Sequence, residues 1–117
     1  MPAARVHDYS SVGLNFANAL ANRDYTTAYG MTSSGYQRTT TLDEMRVAFE
    51  AIVPTDWRTV GPVAVGHTME TWPDKQPSDL AWAYISIGGE TYSEAVTVVV
   101  ALEADTPKIR TVEFGRP

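Results

Sequence analysis

Apolar residues in the first half of the chain recur every three or four positions, which is the spacing of one helix face. A first helix, capped by Ser10 or Ser11, is predicted from the apolar positions Val12, Phe16, Ala19 and Leu20. A short second helix is predicted after Asp24, and Gly35 is expected to end any continuation of it.

The third predicted helix has the clearest start signal. Thr41 and Glu44 have the spacing of a capping box, in which each side chain binds the other residue's free backbone amide. The helix has one apolar stripe, formed by Leu42, Met45, Phe49 and Ile52. Pro54 is expected to end it.

The second half is rich in valine, isoleucine, threonine and aromatic residues, and it predicts strands. We expect four of them, over residues 57–72, 80–87, 90–103 and 108–114, with a bend in the first near Gly61-Pro62 or Gly66. Gly88-Gly89 predicts a two-residue turn that pairs Ile87 with Glu90. The predicted fold class is therefore α+β, with three N-terminal helices packed on a curved antiparallel sheet of about four strands. The 117 residues form one domain, of which residues 1–8 are expected to be flexible.

Side chains alternate between the two faces of a strand, so each predicted strand contributes two sets of residues. One face is aliphatic and should contact the helices, through Ala83, Ile85, Val96, Val98 and Val100. The other face is also apolar, and three helices cannot cover both. We therefore predict a protein interface on this second face, formed by Leu80, Trp82, Tyr84, Val112 and Phe114. Two alternatives stay open. If the turn after Glu103 has three residues, Val112 and Phe114 lie on the first face instead. The sheet could also curl and bury the aromatic rings of the second face within its own chain.

Composition narrows the classes of function. The net charge is −5, which disfavours nucleic acid and anionic membranes as partners. The chain has no cysteine and no spaced pair of histidines, so no metal site or cofactor is expected. The first residues lack the apolar stretch of a secretory signal, and the longest apolar run, Ala95–Leu102, is too short for a membrane span. The expected location is cytoplasmic.

Three segments resemble the nuclear transport factor 2-like superfamily. FANALANRDYTTAY over residues 16–29 resembles its opening helix pair. YSEAVTVVV over residues 92–100 and IRTVEF over residues 109–114 resemble its final strand pair. The resemblance implies a cone-like roll with a pocket between the helices and the concave sheet. Known members include isomerases, dehydratases, ligand binders, transport adaptors and immunity proteins that neutralise toxins.

In such a pocket the candidate acid–base groups are Glu94, Glu113, His67 and Tyr29, with Tyr25 and Tyr36 near them. The alternative is that both carboxylates are exposed or paired and that His67 has only a structural hydrogen bond. Two functions follow. The favoured one is a non-enzymatic binding module that forms a homodimer or caps a partner protein, for instance as an immunity protein. The alternative is an enzyme or binder of a small apolar ligand, which requires Glu94, Glu113 and His67 to converge.

Overall fold

Four helices precede four strands in the computed structural model, which describes residues 6–56, 60–89 and 93–115. The helices are α1 (Val6–Ala21), α2 (Tyr25–Gly30), α3 (Ser34–Thr39) and α4 (Leu42–Ile52). The strands are β1 (Val60–Met69), β2 (Asp79–Gly89), β3 (Ser93–Glu103) and β4 (Thr106–Phe114). They form one antiparallel sheet in the order β1-β2-β3-β4. The α+β class and the four-stranded antiparallel sheet are as predicted. Residues 1–5 of the segment predicted to be flexible lie outside the described residues.

The described part of the chain has four helices where three were predicted. The additional helix is α3, in the segment where Gly35 was expected to stop helix formation. Ser33 starts this helix, because its hydroxyl accepts a hydrogen bond from the backbone amide of Tyr36 at 3.2 Å. Gly35 then occupies the first turn of a new helix instead of following the end of an old one.

The capping box at the start of α4 is confirmed. The Thr41 hydroxyl accepts from the Glu44 amide at 3.1 Å, and the Thr41 amide donates to the Glu44 carboxylate at 2.9 Å. The opposite end of α4 is held by Arg23, whose guanidinium donates to the carbonyl oxygens of Val53 and Pro54 at 3.0 and 2.9 Å. Both ends of this helix therefore have partners for backbone groups that the helix itself leaves free.

The pairing of β2 with β3 differs from the prediction. Ile87 pairs with Glu94 and Gly88 with Ser93, so Gly88-Gly89 does not form the two-residue turn that would pair Ile87 with Glu90. The rest of that connection, residues 90–92, lies outside the described residues. The register differs from the predicted one by an even number of residues, so the predicted face of each paired residue in these two strands is retained.

The pairing of β3 with β4 overturns the prediction for Val112 and Phe114. A two-residue turn at Ala104 and Asp105, with φ of 50° and 66°, joins the strands and pairs Glu103 with Thr106. Arg110 is then an extra residue in β4, since Val100 pairs with Ile109 but Val99 pairs with Thr111. This bulge reverses the alternation beyond it.

As a result, Val112 and Phe114 lie on the helix-facing side of the sheet. Val112 pairs with Val98 and Phe114 with Val96. The Phe114 ring contacts the Phe49 ring edge-on, with 6.5 Å between centroids. Their assignment to the outer interface was wrong because the alternation of side chains along β4 does not continue through the bulge.

The core lies between this side of the sheet and the helices. The side chains of Phe16, Leu20 and Phe49 are fully buried against the sheet. Helix α1 comes closest at Gly13, where an added Cβ would lie 2.9 Å from Val98 Cγ2 and 3.1 Å from Ile85 Cδ1. No described helix is long and apolar enough to cross a membrane.

Helix α3 is tied to the β3–β4 hairpin by one carboxylate. Glu103 accepts hydrogen bonds from the Ser34 amide at 3.1 and 3.2 Å and from the Ser34 hydroxyl at 2.8 Å. These bonds favour the ionised form, so they lower the pKa of Glu103 from its ordinary value of 4.5. The contact joins residues that are far apart in the sequence.

Gly13→Val should lower the free energy of unfolding by about 1–3 kcal/mol, because the new methyl groups have no space against the sheet. Gly30→Ala is the matched control, since nothing lies within 4 Å of a Cβ added there. Its effect should stay within about 0.5 kcal/mol. Urea denaturation measures both, and equal stability of Gly13→Val and the wild type would contradict the close approach of α1 to the sheet.

Glu103→Gln should lower the melting temperature at neutral pH, where the wild-type carboxylate is ionised. Because the folded-state pKa is lowered, this stabilisation is complete above the ordinary pKa of 4.5. It is lost as the pH falls through the lowered pKa of the folded chain. The two melting temperatures should therefore converge in acid, whereas the exposed Glu70→Gln should follow the wild type throughout. If the two melting temperatures differ by the same amount at every pH, including the most acidic pH measured, the negative charge of Glu103 has no role in stability.

Candidate functional site

The predicted acid–base residues do not come together. Glu94 lies on the helix-facing side at one end of β3, where it pairs with Ile87. Glu113 pairs with Thr97 on the opposite face and is exposed. Tyr29 lies in α2, and its hydroxyl donates to the carbonyl oxygen of Thr40 at 2.7 Å. The convergence that the enzyme hypothesis requires is absent among these residues.

His67 is on the outer side of the sheet because of a bulge at Gly66. Val65 pairs with Ile85, but His67 pairs with Tyr84, so Gly66 is an extra residue in β1. A Cβ at position 66 would lie 3.3 Å from the Tyr84 ring, a tight contact that glycine avoids. The bend predicted near Gly66 is thus confirmed, and it removes His67 from the face that carries Val63 and Val65.

The space between helices and sheet is filled by large side chains. Phe16, Leu20 and Phe49 have no exposed surface. The tyrosines in this region are packed or hydrogen-bonded: the Tyr25 hydroxyl donates to Glu50 at 2.8 Å, and burial raises the pKa of Tyr36 to about 12. A phenol with so high a pKa stays protonated at neutral pH, which suits packing better than proton transfer.

The side of the sheet turned away from the helices is the strongest candidate for a functional surface. We call it the outer face, and it consists of His67, Met69, Asp79, Trp82, Tyr84, Ser86, Ala95, Thr97, Val99, Ala101, Lys108, Thr111 and Glu113. None of these residues belongs to the core cluster formed by the described helices and the other face. Trp82 and Tyr84 are partly exposed.

Leu80 is not part of the outer face, contrary to the prediction. Asp79 pairs with Ala101 and Ala81 with Val100, so Leu80 is an extra residue in β2. Its side chain packs against the core cluster. As in β4, a bulge reverses the alternation on which the prediction depended.

One half of the outer face carries large side chains and the other half carries small ones. The half with large side chains, which we call the ridge, consists of His67 and Met69 on β1 and Trp82 and Tyr84 on β2. The His67 and Trp82 rings contact each other edge-on, with 5.9 Å between their centroids. The half with small side chains, which we call the trough, consists of Ala95, Thr97, Val99 and Ala101 on β3 and Thr111 on β4. The β3 members are 0–8% exposed, so little of this half is open to water even in the single chain.

One ion pair lies at the end of the outer face that is next to the β3–β4 turn. Arg110 donates two hydrogen bonds to the Asp79 carboxylate, from Nε at 2.7 Å and from Nη2 at 2.6 Å. Asp79 also accepts from the Gln76 amide at 2.8 Å, and its side chain has no exposed surface. The pair neutralises the charge at this border, so the middle of the outer face carries none.

Among the described residues, no group of three histidine, aspartate or glutamate side chains could hold a metal ion. Comparisons of the chain with models of protein families, with curated proteins and with solved structures found no match. The geometry of the described residues therefore carries the functional argument.

Arg110→Met should lower the free energy of unfolding by about 2–4 kcal/mol, because it leaves the buried Asp79 carboxylate without its cationic partner. Lys108→Met, on the same strand, is the control. Lys108 donates a hydrogen bond to the carbonyl oxygen of Gly30 at 3.1 Å, and the loss of this bond should cost less than about 1 kcal/mol. Chemical denaturation measures the free energy of unfolding of both variants. Similar decreases in the two would show that the ion pair stabilises the fold no more than the Lys108 hydrogen bond does.

Proposed function

We propose that this chain is a non-enzymatic binding module that acts by protein–protein contact through the outer face. The observation that carries the proposal is that Trp82 and Tyr84 stay half-buried on a face against which no described helix packs. Tryptophan and tyrosine are enriched at protein interfaces, where one partner's rings are removed from water by the other.

The shape of the outer face favours a protein over a small molecule. Small ligands are usually enclosed in a concave pocket. Here the aromatic rings stand on an open sheet, and the space between sheet and helices is occupied by Phe16, Leu20 and Phe49. A second polypeptide can cover a surface of this width, whereas a small apolar ligand would leave most of it in water.

The charge distribution argues against nucleic acid as the partner. The chain has a net charge of −5, and nucleic-acid binding depends on clustered lysine and arginine. Arg110, which borders the outer face, is already paired with Asp79. An acid–base enzyme is also disfavoured, since Glu94 and Glu113 lie on opposite sides of the sheet.

We further propose that the fold is a cone-like roll of the nuclear transport factor 2-like kind. Support comes from the order of the elements, with the helices before an antiparallel sheet and packed on one side of it. A superfamily of this breadth does not select a function. An immunity protein that neutralises a toxin is one concrete form of a binding module of this size and charge.

Photo-crosslinking in cells tests the function. With the photoreactive amino acid p-benzoylphenylalanine in place of Tyr84, irradiation should produce covalent protein adducts, because the outer face is occupied by a polypeptide. The same replacement of Asn18, exposed on the helical side, should produce few or none. Electrophoresis and mass spectrometry of the adducts measure the difference. Absence of adducts at Tyr84, or equal yields at both positions, would refute the outer face as the contact surface.

A further inference from the structure

We draw no further inference here: the strongest candidate, the surface patch that the ridge residues His67, Met69, Trp82 and Tyr84 form on the outer face, belongs to the site already described, and nothing in the described part of the structure shows what covers it.

Discussion

The burial of β3 on both of its faces is the constraint on which the rest of the structure depends. From Ala95 to Ala101 every residue of this strand is buried. The described helices account for one side only, where Val96, Val98 and Val100 meet the core. The apolar content of a sheet with two such faces exceeds what one helical layer can cover. The proposed contact through the other face rests on Trp82 and Tyr84, which the chain itself leaves partly exposed.

Local signals in the sequence predicted the start of α4 but not that of α1, which begins at Val6 and contains Ser10 and Ser11 instead of being capped by one of them. The capping box of Thr41 and Glu44 predicted the start of α4 because both hydrogen bonds are made within one helical turn. Alternation within β2 and β3 gave the correct faces for Trp82 and Tyr84 even though the predicted turn was wrong. An even change of register moves a strand along its partner but leaves each side chain on its side.

Residue types in the sequence did not predict the positions of all the bulges. Of the irregular positions in the strands, Gly61-Pro62 and Gly66 belong to types that signal a bulge, and both were named as places for a bend in β1. Leu80 and Arg110 are ordinary strand residues, and the sequence around them does not reveal a break in pairing. The ion pair of Asp79 with Arg110 was missed for the same reason, since it depends on both irregularities. Long-range register, and not local propensity, decides these contacts.

The same bulges that weaken the enzyme hypothesis create the surface proposed for binding. If β1 were regularly paired through Gly66, His67 would share a face with Val65, toward the helices, and the ridge would lose its second ring. If β4 were regularly paired through Arg110, Thr111 would turn toward the helices and Val112 would lie in the trough. The difference in height between the two halves would then disappear. Dispersal of the polar candidates and the placement of His67 and Thr111 on the outer face are therefore two results of one set of irregularities.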